Sequence, residues 1–140
     1  MNKKVYDILC FMGEYGLRYG PKLLPLFESY VERMLNDDRV IVFSENGKVE
    51  GVIFFSVDDE TDQFWTKKMW EYLPHNPLGT TAYIELLLIK KWNMEIRKNI
   101  QYFLENRFPD LLFGRWHRRS KIRDREFIVK TTKSKENAHV

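Results

Sequence analysis

The chain has 140 residues and a net charge of only +3, and its 44% hydrophobic and 15% aromatic content excludes the composition of a disordered protein. Its single cysteine, Cys10, excludes an internal disulfide framework and a cysteine-rich zinc site. Charges and glycines interrupt the N-terminal apolar stretch, and no apolar run approaches the roughly 18 residues of a membrane span, so we expect a cytoplasmic protein.

Two helices are predicted within the first 36 residues. Residues 5–12 are apolar enough for a short helix, which Gly13 and Gly16 interrupt. From Pro25 onward, apolar residues recur at steps of three and four, which is the period of an amphipathic helix. This stripe consists of Phe27, Tyr30, Val31, Met34 and Leu35. The pattern predicts a second helix that ends near Asn36.

A β-hairpin is the clearest local prediction. Residues 39–45 and 48–57 are rich in β-branched and aromatic side chains, which favour strands. Asn46 and Gly47 between them tolerate the positive φ angles of a type I′ turn. The pattern therefore predicts that the two segments pair antiparallel.

A third helix is predicted over residues 63–73, QFWTKKMWEYL. Its apolar residues share one helical stripe, and Pro74 ends the pattern. The stripe consists of Trp65, Met69, Tyr72 and Leu73. Residues 75–81 are then predicted to form a loop.

The second half of the chain predicts a strand, a helix and two further strands. Residues 82–89, AYIELLLI, form an almost continuous apolar run, as expected of a central strand beside residues 48–57. Asn93 suits an N-cap, and Phe108 with Pro109 ends the helix that follows. The predicted buried stripe of this helix consists of Ile96, Ile100, Phe103 and Leu104. Residues 111–118 and 125–131 predict the last two strands, around a charged turn.

This order of elements predicts an α+β fold with a mixed, mostly antiparallel sheet and flanking helices. A strand–helix–strand unit implies a right-handed crossover and a parallel pair, whereas the Asn-Gly hairpin implies antiparallel neighbours. We expect a single domain over residues 1–131. Residues 132–140 lack apolar periodicity, so we expect a flexible C-terminal tail.

Glu85 is the most informative single residue, because it places a carboxylate inside an apolar strand. On an alternating strand it shares a face with Tyr83 and Leu87. A partly desolvated carboxylate suits a general base. The structural alternative is a carboxylate paired with a lysine or arginine of an adjacent strand.

Positive charge is concentrated near the C-terminus. Residues 115–135 contain nine basic and two acidic side chains, a net charge of +7. The nine are Arg115, Arg118, Arg119, Lys121, Arg123, Arg125, Lys130, Lys133 and Lys135. Such a segment can bind nucleic acid or an acidic protein, and it can equally be a solvated hairpin. A non-enzymatic binding module is therefore the alternative to an enzyme.

The remaining chemistry-bearing residues predict structure rather than a site. His75, His117 and His139 lack the spacing of metal ligands, so no metal site is predicted. We expect Cys10 to be a small buried hydrophobe. The methionines Met12, Met34, Met69 and Met94 are expected to fill the core.

The order of elements resembles the GNAT family of acyl-CoA-dependent N-acetyltransferases. The resemblance lies in the initial helices, the hairpin RVIVFSENGKVEGVIFFSV, and AYIELLLIKKW running into MEIRKNIQYFLENRFPDLLFGRW. It implies that acetyl-CoA or another acyl-CoA lies in a gap between residues 82–89 and 111–118, with its pyrophosphate against the following helix. The chain departs from the family in having no glycine in the turn that normally holds the pyrophosphate, KKWNMEIR.

Carried onto this sequence, the resemblance implies a set of site residues. Glu85 would be the catalytic base for acyl transfer to an amine. The backbone of Leu87, Leu88 and Ile89 would pair with the pantetheine arm. The basic residues that would approach the phosphates are Lys90, Lys91, Arg97 and Lys98. The alternative is that these cations are solvated at a strand end and on a helix surface.

Overall fold

A computed structural model describes residues 2–14, 24–68, 70–119 and 124–130, and for residues 24, 116–119 and 124–130 it describes the backbone alone. Four helices and five strands are assigned within these residues. The helices are α1 (Lys3–Glu14), α2 (Leu24–Asn36), α3 (Gln63–Thr66) and α4 (Met94–Arg107). The strands are β1 (Val40–Glu45), β2 (Lys48–Asp58), β3 (Thr81–Ile89), β4 (Phe113–Arg119) and β5 (Asp124–Lys130).

The five strands form one mixed sheet in the order β1-β2-β3-β4-β5. β1 pairs with β2 and β4 with β5 in antiparallel fashion, whereas β3 and β4 are parallel. Lys90 N–H donates to the Glu50 carbonyl, and the Ser56 hydroxyl donates to the Glu85 carboxylate. Later residues of β2 thus contact earlier residues of β3, which shows that the two strands run in opposite directions. The predicted α+β class, the mixed sheet and the position of β3 beside β2 are therefore confirmed.

The β1–β2 hairpin has the predicted turn. Asn46 and Gly47 have φ angles of 52° and 77°, as a type I′ turn requires at both central residues. The register runs from Val40 opposite Phe54 to Glu45 opposite Lys48, with an irregularity between Phe43 and Ser44. Local turn chemistry was sufficient to predict this pairing.

The described residues cluster into two compact units. Unit 1 comprises the described residues up to Phe54 together with Thr66–Leu73 and Leu86–Lys91. Unit 2 comprises Phe55–Trp65, Pro74–Glu85 and the described residues from Trp92 onward. The expected single domain over residues 1–131 stays a prediction, and the expected tail over residues 132–140 lies outside the described residues.

Each unit buries its own apolar side chains. In unit 1, α1 and α2 bury apolar side chains against β2, and those of α2 belong to the stripe that its periodicity predicts. The buried cluster there includes Val5, Ile8, Leu9, Phe11, Met12, Phe27, Tyr30, Val31, Met34, Val52 and Phe54. In unit 2, the Phe55 and Phe108 rings meet edge to face with 5.8 Å between their centroids, and the centroids of the Tyr83 and Phe64 rings are 5.1 Å apart. Apolar periodicity thus identified the buried face of α2.

The helix predicted over residues 63–73 is wrong beyond its first turn. α3 spans only Gln63–Thr66, and Trp70 has a φ of 61°, which a right-handed helix cannot contain. The Trp70 ring instead lies 4.3 Å from the Phe27 ring, and the Leu73 carbonyl accepts a hydrogen bond from Arg39 at 2.8 Å. These tertiary contacts outweigh the helical period. Met69 lies outside the described residues.

α4 has the predicted ends and part of the predicted buried stripe. Asn93 is its N-cap and Phe108 its C-cap, and Ile100 and Leu104 are buried. Phe103, however, is 41% exposed, so its predicted burial was wrong. Successive helical residues are about 100° apart, and therefore Phe103 cannot share the direction of Leu104. The exposed Met94 was likewise wrongly assigned to the core.

Candidate functional site

Glu85 and Ser56 form the chemical centre of the candidate site. Ser56 lies on β2 and is fully buried, while Glu85 lies on β3 and is half-buried. The Ser56 hydroxyl donates a hydrogen bond to Glu85 Oε2. Ser56 is the only polar residue of the buried β2 run 51–57, and Glu85 lies on the neighbouring strand. A buried hydroxyl thereby fixes the direction of a carboxylate that solvent still reaches.

Tyr83 secures the strand beside this pair. It is fully buried, and its hydroxyl donates to the Asp59 carbonyl and accepts from Thr61 N–H, both at 2.8 Å. Its ring packs against Trp65 at 5.4 Å, and the Arg115 guanidinium lies 5.8 Å from the ring centroid. The hydroxyl is therefore engaged in both directions, which makes Tyr83 a structural anchor rather than a proton donor for catalysis.

The edge of β2 next to Ser56 is closed by a histidine. Val57 N–H donates to His75 Nδ1 at 3.0 Å, and Asn76 N–H donates to the Val57 carbonyl at 2.7 Å. The His75 ring also meets the Phe108 ring nearly edge to face at 6.4 Å. Residues 75 and 76 thus satisfy both backbone groups of Val57.

The parallel pairing of β3 with β4 is short. It begins with Thr81 opposite Phe113 and ends with Ile84 opposite Trp116. Glu85 is the first residue of β3 beyond that register. Because a parallel ladder bonds its strands at regular intervals, the end of the register marks where β3 backbone groups no longer pair with β4.

The residues predicted to hold acyl-CoA are divided between the two units. Leu87, Leu88 and Ile89, all half-buried, belong to unit 1 with Lys90 and Lys91. In that unit, Lys90 Nζ lies 3.6 Å from Glu50 Oε2, and the two side chains are 50% and 27% exposed. Lys90 therefore already has an anionic partner, whereas Lys91 is exposed.

Arg97 and Lys98 belong to unit 2, in the first turns of α4. Arg97 is half-buried and Lys98 is exposed. The N-cap Asn93 accepts a hydrogen bond from Ile96 N–H at 2.9 Å, and Glu95 adds a negative charge to the first turn. One of the amide donors that a helix start offers to an anion is therefore occupied by the cap.

Sequence reasoning identified Glu85 but missed Ser56 and His75. A signal for Ser56 existed, because it is the only polar residue in the run GVIFFSV, and buried hydroxyls require hydrogen-bond partners. Nothing local marked His75, since its contact with Val57 spans 18 positions of the chain.

The other candidate residues that the structure describes do not form a site. The thiol of Cys10 is exposed, so its predicted burial was wrong. A hydrogen bond and an electrostatic interaction with Cys10 raise the pKa of the exposed Tyr6. Within the described ranges, no group of three or more His, Cys, Asp or Glu side chains is suited to a metal ion, and none of the helices is long and apolar enough to cross a membrane.

The basic segment 115–135 falls almost entirely outside the residues whose side chains are described. Arg115 is the exception, and it lies over Tyr83. Binding of nucleic acid or an acidic protein through this segment therefore stays a prediction.

No protein-family model matches the chain, and no curated protein is significantly similar to it.

Proposed function

We propose that this chain is a GNAT-like domain that transfers an acyl group from acyl-CoA to an amine, with Glu85 as the general base. The observation that supports the proposal is the placement of Glu85. It is half-exposed, it is the first residue of β3 past the parallel register with β4, and the buried Ser56 hydroxyl holds one of its oxygens. A general base must present its carboxylate in a fixed direction within reach of the substrate.

The reaction assigns one task to each residue of the pair. The amine nitrogen forms a bond to the thioester carbonyl carbon and gives up a proton, and the carbon–sulfur bond then breaks to release the coenzyme thiolate, which takes up a proton from solvent. Glu85 accepts the proton, directly or through one water. Ser56 restricts rotation of the carboxylate and is a positioning residue.

Binding of acyl-CoA rests on the other residues that the resemblance implies. We propose that the backbone of Leu87, Leu88 and Ile89 pairs with the pantetheine arm. Among the cations, we expect the exposed Lys91 and Lys98 to contribute more than Lys90, because Lys90 is already paired with Glu50. Arg97 is half-buried in the second half-turn of α4 and adds positive charge to the helix start.

Calorimetry with acetyl-CoA and longer acyl-CoAs on the purified chain tests binding, and release of coenzyme thiol in the presence of amines tests turnover. Glu85→Gln should leave binding nearly unchanged and slow turnover by on the order of 10² to 10⁴. Ser56→Ala should slow turnover by on the order of 10-fold to 10²-fold, because the base loses its orientation. A matched control is Glu105→Gln, which alters a half-buried carboxylate on α4 that accepts from Gln101.

Each outcome has a separate meaning. Equal slowing by Glu105→Gln and Glu85→Gln points to loss of stability rather than of a base. If Glu85→Gln turns over at the unmodified rate, Glu85 is not the base, but the proposal of an acyltransferase stands. If no acyl-CoA binds at high micromolar concentration, the transferase proposal fails. Salt-sensitive binding of nucleic acid then favours the binding-module alternative.

A further inference from the structure

β2 extends beyond its partner β1, and a side chain closes the exposed part of its edge. The first residue of β1, Val40, pairs with Phe54 of β2. Val57 follows Phe54 by three residues and therefore extends beyond the paired part of β2. Val57 is fully buried, and a buried backbone N–H is destabilising when it has no hydrogen-bond partner. His75 Nδ1 accepts from that N–H at 3.0 Å, and Asn76 N–H donates to the carbonyl.

This contact requires one protonation state of the imidazole. Nδ1 accepts a hydrogen bond only when it carries no proton, and in the imidazolium both ring nitrogens are donors. A protonated His75 would direct an N–H at the Val57 N–H. We propose that His75 is a pH-sensitive cap on the edge of β2, and that its protonation detaches residues 75 and 76 from Val57.

The sign follows from the hydrogen bond. The cap exists with the neutral ring, so its stabilisation is present above the titration of the imidazole and is lost as pH falls. Asp58 lies next to Val57 on β2, and its carboxylate accepts from Gln63 at 2.8 Å and from Asp59 N–H. The Arg107 guanidinium lies 5.2 Å from the centroid of the Phe108 ring, which meets the His75 ring nearly edge to face, and Asp110 follows Phe108 by two residues.

The cap adjoins the candidate site, since Ser56 directly precedes Val57. Release of Val57 therefore loosens β2 at the residue that orients Glu85. This consequence rests on the proposed function, whereas the cap itself does not. Acidification is expected to lower turnover by disturbing the Ser56–Glu85 contact.

The test measures exchange of the Val57 amide hydrogen by NMR in the absence of any ligand, between about pH 8 and about pH 5, a range that spans the usual imidazole pKa of about 6.5. After correction for the intrinsic pH dependence of exchange, protection of Val57 should fall by on the order of tenfold per pH unit below the titration of the ring. His75→Asn is the matched variant, because its Oδ1 replaces Nδ1 as an acceptor but does not titrate. His117, His139 and all carboxylates remain in that variant, so their contributions cancel.

The proposal predicts a pH-dependent loss of Val57 protection in the unmodified protein and a flat profile in His75→Asn. A flat profile in the unmodified protein overturns it, even if the variant does not fold. Parallel profiles in the two proteins also overturn it, because another group then controls the edge. If Val57 responds as expected but no acyl-CoA binds, the cap stands and the transferase proposal fails.

Discussion

Arg39 provides a stability prediction that can be worked from the structure. Arg39 lies in the short connection between α2 and β1, and its side chain is fully buried. Its Nη1 donates a hydrogen bond to the Leu73 carbonyl at 2.8 Å. Its guanidinium also lies 4.9 Å from the centroid of the Tyr72 ring and 3.5 Å from Asp37. Arg39→Met removes the donors and the charge while keeping an apolar stem of similar length.

The magnitude depends on which contact dominates. A hydrogen bond from a charged donor contributes about 1.5 to 3 kcal/mol, and a cation over an aromatic ring contributes about 0.5 to 2 kcal/mol. Removal of the buried charge recovers part of the desolvation cost, which lowers the net loss. We expect Arg39→Met to reduce the free energy of unfolding by about 2 kcal/mol. The melting temperature of a chain of this size should then fall by about 6 °C.

Urea unfolding followed by tryptophan fluorescence measures this loss, because the Trp70 ring packs in the same unit as Arg39. Asp37→Asn is the control. Its carboxylate is 41% exposed, and an exposed ion pair contributes about 0 to 1 kcal/mol. If Asp37→Asn costs as much as Arg39→Met, the ion pair holds Arg39 and the reasoning from the carbonyl and the ring is wrong.

Two further substitutions test the backbone. Gly79→Ala should destabilise by about 3 kcal/mol or more, because an added Cβ would lie 2.3 Å from the carbonyl carbon of Asp58 and backbone would have to move. Gly114→Ala, where no described atom lies within 4 Å of the added Cβ, should stay within about 0.5 kcal/mol, and comparable losses would contradict the steric argument. Asn93→Ala should cost about 1 kcal/mol and reduce the helicity of α4 by circular dichroism, whereas an unchanged stability would show that the cap to Ile96 is dispensable.

The parts of the fold that could be predicted are those that neighbouring residues determine. Asn46 and Gly47 fix a turn because few other residues adopt their φ angles at low cost. Asn93 begins α4 because its side chain reaches an amide three residues later. In both cases the sequence contains both partners of the interaction within one turn, so pattern and structure agree.

The failures occur where distant residues decide. The segment 63–73 has a helical period, yet Trp70 turns out of the helix because Phe27 and Tyr30 lie in the same core, at 4.3 Å and 5.6 Å between ring centroids. Phe103 was expected to be buried because apolar residues favour the core, but Ile100 and Leu104 already define the inward direction of α4. Period alone does not specify which of two adjacent apolar residues is covered.

The candidate site also depends on residues that are distant in the sequence, but in this case the contact could have been predicted. A carboxylate in an apolar strand requires a partner, and the sequence predicts a lysine or arginine of an adjacent strand as one partner for Glu85. The structure shows a hydroxyl partner, that of Ser56, 29 positions earlier in the chain. Once β2 and β3 are predicted to be neighbours, the run 51–57 contains one polar side chain, that of Ser56, and the run 82–89 contains one carboxylate, that of Glu85. The need of a buried hydroxyl and of a carboxylate in an apolar strand for hydrogen-bond partners therefore predicts a contact between these two residues, and the structure shows that contact.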